Sequence, residues 1–314
     1  PLNPSIMPAR KDKEKKVLLI VAIVALVLFA LLMVFALFLA AGPVFDSSPF
    51  EKKLAVISIK DPVFMSGDEV GGTFGALDIV EKIEEARTDP SVAAIFFDID
   101  SPGGEPVATN QIVEKIRETE KPTIAYIGPT GTSAAYWIAA STDYVIADPF
   151  SVTASIGAVG IFPNIEGLLE DFGVDVKVIR SGKLKALPNI FEDLDEEQEK
   201  LIMDFVDEAF SQFKADILAF RGEKINEAEF EKITDGRILS GKQALELNLV
   251  DELLTREKAI LKAGEIAGIK GKPGLKELNP QKVSFFDLLT ASGKAFASGF
   301  KSSLDFSSAV SIRT

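Results

Sequence analysis

The sequence contains no cysteine and no histidine among its 314 residues. The absence of cysteine excludes disulfides, thiol nucleophiles and lipid attachment to a cysteine. The absence of both residue types excludes zinc sites built on them, and it excludes a Ser-His-Asp triad. A nucleophilic serine in this chain would therefore need a lysine, a carboxylate or the chain's own amine as its base. No metal and no cofactor is expected.

Basic residues are outnumbered by acidic ones, 34 to 47, but they are in local excess near the N-terminus. The formal net charge is −13, yet residues 10–16 (RKDKEKK) carry five basic and two acidic side chains. The acidic body would repel nucleic acid phosphates, so nucleic acid is not expected as a partner. Apolar residues make up 47% of the chain, which is ample for a buried core.

One long apolar run without charges occupies residues 17–41. As a helix rising about 1.5 Å per residue, it exceeds the ~30 Å hydrocarbon core of a bilayer. It is also much longer than the apolar region of a cleaved signal peptide, about 7 to 15 residues. We therefore predict a single transmembrane helix in the cell membrane. The basic residues of the N-tail (1–16) precede it, whereas Asp46 and Glu51 follow it, so the N-terminus should be cytoplasmic and the body extracytoplasmic.

Beyond a linker at 42–53, apolar runs rich in β-branched residues alternate with helical patterns. The predicted strands are 54–60, 92–100, 122–128, 144–148 and 174–180, and the predicted helices are 76–87 and 107–120. This alternation favours an α/β fold with a largely parallel sheet. Apolar residues at three- and four-residue steps predict another helix from about 194 to 221, packed along the core. The Phe-containing tail, 271–314, should lie outside the core fold, and could cover a neighbouring subunit, rest on the membrane or be disordered.

Three segments carry candidate chemistry. In DIDSPGG (98–104), two glycines after a strand allow backbone N–H groups to converge on an anion, as an oxyanion hole requires. Ser133 stands where a strand pattern gives way to a helical one, a position that suits a nucleophile but also a simple N-cap. Lys183 and Lys185 follow a predicted strand, and burial would make either lysine a base, although paired loop lysines are commonly solvated.

Five ordered motifs together resemble those of the signal peptide peptidase A (protease IV) family. They are SPGG (101–104), TSAAYWIAASTDYVIAD (132–148), TASIGAVG (153–160), SGKLKA (181–186) and DGRILSGKQALELNLVDEL (235–253). The resemblance covers about residues 54–255. It implies a serine peptidase domain over 54–270 with the Clp-protease/crotonase-like spiral α/β fold. It also implies that several copies assemble into a homo-oligomeric ring.

The resemblance assigns a role to each matching residue. The serine of the second motif is the nucleophile in that family, and the lysine of the SGKLKA motif is the general base, which correspond to Ser133 and Lys185. Ser155 would orient the lysine amine by a hydrogen bond. The backbone amides of Gly104 and Ala134 would form the oxyanion hole. The chain would thus be a serine peptidase with a Ser-Lys dyad.

Two departures from the family pattern concern small residues. Ser133 is followed by Ala134 and Ala135 where the family usually has two glycines, and Ala154 stands where the family has glycine. Each added methyl narrows the allowed backbone conformations but leaves the amide donors in place. The departures therefore put substrate preference in doubt more than activity.

The implied function is that of a membrane-anchored endopeptidase that degrades remnant signal peptides or other membrane-associated peptides. Small residues and an apolar trough would favour small or aliphatic side chains before the scissile bond. One alternative is a membrane peptidase partnered with stomatin-like proteins, in which a later multi-span region is expected and is not seen in this sequence. Another is a catalytically silent crotonase-like scaffold or acyl-CoA-binding protein. The presence of both Ser133 and the Lys185 motif argues against the silent alternative.

Overall fold

The computed structural model describes residues 19, 21–33, 52–67 and 74–279. The chain divides into two units, Pro1–Glu51 and Lys52–Thr314. In the first unit, residues 19 and 21–33 are helical and their apolar side chains are exposed. The rest of the predicted span lies outside the described residues, as do the N-tail, most of the linker and the tail beyond residue 279. Within the described ranges, no helix is both long and apolar enough to cross a bilayer.

The second unit is built on a mixed, mainly parallel, eight-stranded sheet. Its elements in chain order are β1 (Lys53–Lys60), α1 (Ala76–Thr88), β2 (Val92–Ser101), α2 (Pro106–Arg117), β3 (Thr123–Thr132), α3 (Ala134–Ala140), β4 (Tyr144–Ala147), β5 (Val152–Ala154), α4 (Glu166–Asp171), α5 (Glu196–Arg221), α6 (Glu227–Glu231), β6 (Ile238–Ser240), α7 (Gly241–Glu246), β7 (Glu252–Leu253), α8 (Arg256–Ile266) and β8 (Gly274–Glu277). The strand order is β6-β5-β3-β2-β1-β8, with β4 beside β3 and β7 beside β4. The β5–β6 pair is antiparallel and the other pairs are parallel. The predicted α/β class is confirmed.

Both faces of the central strands are buried, since helices cover each side of the sheet. Side chains alternate between the two faces along a strand, so each strand contributes to two clusters. On β1, Ala55, Ile57 and Ile59 belong to the core cluster that also contains residues of α1, α2 and α3. Leu54 and Val56 point to the opposite face and pack with residues of α8. This two-sided burial explains why the central strands read as nearly continuous apolar runs.

The strands predicted at 54–60, 92–100, 122–128 and 144–148 are confirmed, but the strand predicted at 174–180 is wrong. Within the described chain these residues pair with no strand. Val174, Val176 and Ile179 are exposed. A β-rich composition does not make a strand without a neighbour whose backbone groups can complete the ladder.

The domain extends past its predicted end at residue 270. β8 pairs with β1 at the edge of the sheet. After β8, the Asn279 side chain accepts a hydrogen bond from the Ser58 N–H and donates one to the Ser58 carbonyl, both at 2.8 Å. Residues 274–279 therefore belong to the fold and not to the tail that was predicted to begin at 271.

The helix predicted over 194–221 is α5, but only part of it packs along the core. Phe213 and Ile217, in the C-terminal half, are buried. In the N-terminal half, Leu201 and Phe205 are exposed. The prediction of core packing is therefore correct only for the C-terminal half of the helix.

The carboxylate of Asp251 ties the end of α5 to β4. It accepts hydrogen bonds from Arg221 at 3.0 and 3.1 Å, from Lys224 at 2.7 Å and from the Val145 N–H at 2.8 Å. The side chains of Arg221 and Asp251 are only 2% and 9% exposed. Burial alone would raise the pKa of Asp251, but the hydrogen bonds and charges of Arg221 and Lys224 outweigh it and hold that pKa below its usual range.

We expect Asp251→Asn to lower the free energy of unfolding by about 3 kcal/mol, because Arg221 would remain buried without its counter-charge. Lys224→Ala removes a half-exposed partner of the same carboxylate and should cost less than about 1 kcal/mol. Because the folded pKa is lowered, the stabilisation by Asp251 is complete above the ordinary pKa of 3.8 and is lost as the pH falls through the folded value. Urea unfolding of both variants tests this, and equal losses would contradict it.

Candidate active site

Ser133 occupies the turn between β3 and α3. Its backbone angles, φ 53° and ψ −125°, are ones that residues with a side chain rarely adopt. The Ser133 N–H donates to the Ala154 carbonyl at 2.7 Å, which holds the turn. The Ser133 hydroxyl makes no hydrogen bond with the described residues and lines two cavities. A serine on a sharp, strained strand-to-helix turn is typical of an exposed nucleophile.

The Gly103–Gly104 turn lies directly against Ser133. Gly103 has a φ of 111°, and a Cβ on it would lie 2.8 Å from the Cβ of Ser133. A Cβ on Gly104 would lie 2.0 Å from the Val63 carbonyl oxygen, because Gly104 and Val63 form a parallel bridge. Both positions therefore require glycine, and this requirement is what lets the turn approach the serine.

Two backbone amides are available beside the Ser133 hydroxyl. The N–H groups of Gly104 and Ala134 make no hydrogen bond within the described part of the chain. Both residues line the same cavity as Ser133. Unpaired backbone N–H groups next to a nucleophilic oxygen can stabilise an oxyanion that forms there.

An apolar cavity of about 490 Å³ opens beside Ser133. Trp137 of α3 and Phe213 of α5 both line it and stack with ring centroids 5.0 Å apart. Leu201 and Phe205, the exposed residues of α5, line the same cavity. A cavity with this lining can take an apolar side chain of a peptide.

Ser133 also borders a second cavity, of about 430 Å³, with polar groups in its lining. Ser155 and Thr234 bring hydroxyls to this cavity, and Asp207 and Asp235 bring carboxylates. The nucleophile candidate thus stands between the apolar cavity and a second cavity of mixed lining, which is called the polar cavity below because it carries these hydroxyls and carboxylates.

Ser155 is held beside Ser133 by the turn that precedes β6. The Ser155 N–H donates to the Arg237 carbonyl at 3.0 Å, and its hydroxyl donates to the Gly236 carbonyl at 3.1 Å. The hydroxyl proton of Ser155 is used in this bond, so the hydroxyl oxygen can still accept a hydrogen bond from another donor. Ala154 and Ser155 have φ values of 65° and 51°. An alanine at 154 is therefore strained where glycine would not be.

The Lys183 side chain is paired with two carboxylates at the start of α5. Its ammonium donates to Glu197 at 2.6 Å and pairs with Asp195 at 3.0 Å. The hydrogen bonds to Glu197 and Asp195 raise the pKa of Lys183 above its usual range. A lysine held in its charged form by two carboxylates is a poor base.

Lys185 lies on the same loop, is exposed, and makes no side-chain hydrogen bond or ion pair with the described residues. Leu187 and Pro188 follow it and line the apolar cavity, but Lys185 lines neither cavity. The structure therefore brings together Ser133, Gly104, Ala134 and Ser155, and it does not bring the Lys185 amine to them.

Comparison of the sequence with known proteins identifies the family of this chain. The model of peptidase family S49 matches residues 115–270. A protein of Synechocystis sp. that is named as a protease is 32% identical over 220 residues, which are 69% of this chain and 76% of that protein. The chain belongs to peptidase family S49. Both the match and the relative support a peptidase.

Other relatives of this S49 member bear the names that the five motifs predicted. Protease 4 of Haemophilus influenzae is 26% identical over 217 residues, which are 68% of this chain and 35% of that protein. A protein of Enterococcus faecium with the provisional name signal peptide peptidase SppA is 27% identical over 215 residues, 67% of this chain and 62% of that protein. The resemblance to the signal peptide peptidase A (protease IV) family is confirmed.

A solved structure, a mutant of the 1510-N membrane-bound stomatin-specific protease, aligns with a TM-score of 0.47 and 19% identity, over 73% of this chain and 99% of that one.

Sequence reasoning missed the contribution of α5 and of the turn at 235–237 to the site. The apolar spacing of α5 showed that one face is apolar, but the same spacing serves a core and a cavity equally well. Residues 235–237 were matched only as part of a family motif. Their role in holding Ser155 rests on backbone carbonyls, which no side-chain pattern reveals.

We expect Gly103→Ala to lower kcat about 10²-fold, the loss typical of one displaced oxyanion donor, because the new methyl would push against Ser133 and move the Gly104 amide. Gly167→Ala is the matched control, since a Cβ there meets no atom within 4 Å. Peptide hydrolysis and thermal unfolding of both variants are the measurements. A folded Gly103→Ala protein with unchanged kcat would show that this turn takes no part in the reaction.

Proposed function

We propose that the chain is a serine endopeptidase in which Ser133 is the nucleophile and Lys185 the general base. The observation that carries the proposal is the free Ser133 hydroxyl beside the unpaired N–H groups of Gly104 and Ala134, at the mouth of an apolar cavity. The neutral Lys185 amine takes the Ser133 proton, and the oxygen attacks the scissile carbonyl. The two N–H groups stabilise the oxyanion, and the leaving amine takes the proton from Lys185. Water, with Lys185 again as base, then hydrolyses the acyl-enzyme.

The Ser155 hydroxyl, in the polar cavity, could hold the amine of a lysine base in place. Because the Ser155 hydroxyl donates to the Gly236 carbonyl, it can accept a hydrogen bond from a lysine amine. That bond would direct the nitrogen lone pair towards Ser133, which borders the same cavity. Ser155 is thus proposed to orient the base.

Lys185 must lose water contacts before its amine can be neutral near neutral pH, because desolvation disfavours the charged form. It lies on a stretch of chain that exposes many apolar side chains; Val159, Ile161, Phe172 and Ile179 are each more than three-quarters exposed. An exposed apolar surface of this kind marks an interface. We infer that several copies assemble, as in the ring that the family resemblance implies, and that assembly covers the Lys185 loop. We also propose that the peptidase domain has the Clp-protease/crotonase-like spiral fold that the family resemblance implies.

The proposed substrates are remnant signal peptides or other membrane-associated peptides. The apolar cavity supports side chains up to the size of leucine or phenylalanine before the scissile bond. Residues 17–41 are proposed to anchor the protein, with the N-terminus cytoplasmic and the peptidase domain extracytoplasmic. The helix at 21–33, with its exposed apolar side chains, supports the anchor.

A membrane-impermeant fluorophosphonate tests chemistry and orientation together. Added to intact cells that express the full chain, it should label the protein as completely as it does after lysis, because the proposed nucleophile faces outward. Purified protein should cleave peptides with leucine before the scissile bond at least ~10-fold faster than peptides with aspartate there, since a charge is costly to bury in the apolar cavity. Labelling only after lysis would reject the orientation. No labelling and no hydrolysis would favour a silent scaffold.

A further inference from the structure

One wall of the apolar cavity has a single small residue in a stripe of large ones. Leu201, Phe205, Ala209 and Phe213 of α5 follow one another at four-residue steps, and all four line the cavity. Residues four positions apart lie on the same face of a helix, one turn from each other. Ala209 therefore leaves space on this wall between two phenylalanine side chains.

The aromatic residues on either side of Ala209 differ in burial. Phe213 is only 4% exposed and stacks on Trp137, which is 5% exposed. The Trp137 N–H donates to the Ser133 carbonyl at 3.0 Å, so this buried stack lies one helical turn from the proposed nucleophile. Phe205 is 73% exposed. Ala209, which is partly buried, thus lies between the closed inner end of the cavity and its side open to solvent.

Two other small residues of the lining, Gly104 and Gly160, are small because their neighbours leave no room. A Cβ on Gly104 would lie 2.0 Å from the Val63 carbonyl oxygen, and one on Gly160 would lie 2.7 Å from the ring of Phe162. Ala209 already has a Cβ, and it lines the cavity. A longer side chain at position 209 would therefore extend into the cavity and take up space that a substrate side chain needs.

We propose that Ala209 is a specificity-determining residue that sets how long a side chain the apolar cavity accepts before the scissile bond. The inference rests on the proposed function, in which this cavity of about 490 Å³ receives that side chain. Apolar pockets discriminate by size, since one methylene group changes kcat/KM by about 10- to 200-fold. Leucine at position 209 would add an isopropyl group to the wall, which should exclude a phenylalanine side chain and still admit a methyl group.

The test uses the full-length protein and two peptides that differ only in the residue before the scissile bond, phenylalanine or alanine. Ala209→Leu should lower the ratio of kcat/KM for the phenylalanine peptide to kcat/KM for the alanine peptide by about 10- to 100-fold. The loss should fall on the phenylalanine peptide, whereas the alanine peptide should stay within about threefold of the wild type, because its methyl group does not need the filled space. Ala215→Leu is the matched control, since it makes the same change at an exposed position of α5 that lines neither the apolar nor the polar cavity.

An unchanged ratio in a folded and active Ala209→Leu protein would overturn the inference, as would an equal change in Ala215→Leu. Equal losses towards both peptides would also overturn it, because a residue that selects by size leaves the cleavage after alanine intact. If Ala209→Leu does not fold, Ala209→Val decides: a ratio lowered by at least about threefold supports the inference, and an unchanged ratio rejects it. A wild-type protein without Ser133-dependent hydrolysis of either peptide would instead reject the proposed function.

Discussion

Ser133→Ala is expected to lower kcat for peptide hydrolysis by about 10⁴-fold or more, because loss of a covalent nucleophile leaves only binding and the oxyanion site. The fold should survive. The Ser133 hydroxyl makes no hydrogen bond within the described residues, and the N–H that donates to Ala154 is retained in the variant. Assay of the purified protein with a fluorogenic peptide, together with thermal unfolding, measures both effects.

The matched control for Ser133→Ala is Ser211→Ala. Ser211 is an exposed residue of α5, makes no hydrogen bond with any described residue, and lines neither cavity. This variant should keep full activity and full labelling by a fluorophosphonate. Retained turnover in folded, purified Ser133→Ala would reject the assignment of the nucleophile.

Lys185→Ala should abolish activity about as completely as Ser133→Ala, whereas Lys183→Ala should be mild. The ion pairs of Lys183 with Glu197 and Asp195 keep it charged, so it has no free lone pair to accept the serine proton. Because members of one catalytic unit are strongly non-additive, Ser133→Ala combined with Lys185→Ala should be no worse than either change alone. Turnover of the four variants with one peptide is the measurement.

Lys185→Arg separates a proton acceptor from a positive charge. A guanidinium stays protonated, so arginine should not restore activity if residue 185 acts as the base. An inactive Lys183→Ala protein beside an active Lys185→Ala protein would show that the base lies two residues earlier in the loop.

Backbone strain is concentrated around Ser133 and Ser155. Ser133, Ala154 and Ser155 all have positive φ values, and the Ser133 N–H bonds directly to the Ala154 carbonyl. Such conformations cost of order 1–3 kcal/mol each and persist only where the surrounding structure enforces them. Here the β5–β6 pairing and the Arg237 and Gly236 carbonyls enforce them. The strain holds the two serine hydroxyls at the border of one polar cavity.

The sequence predicted four of the eight strands, β1 to β4, because the central strands are buried on both faces and form long apolar runs. The family resemblance predicted one site that contains Ser133. Gly104 and Ala134 line the apolar cavity, Ser155 lines the polar cavity, and Ser133 lines both. Sequence reasoning failed at 174–180 and placed the end of the domain too early. In both cases the outcome depends on whether a distant strand is available for pairing, and local composition does not record that.

The sequence by itself determined the class of chemistry open to this protein, because a chain without histidine or cysteine leaves a serine only a few possible bases. It also determined the α/β class, since hydrophobic periodicity is a local property. Only the tertiary structure decided that the N-terminal half of α5 lines cavities, that β8 joins β1, and that Lys183 is paired with the carboxylates of Asp195 and Glu197 at the start of α5. Hydrophobic periodicity indicates which side chains share one face of a helix or strand. The structure that this face packs against depends on contacts between residues far apart in the chain.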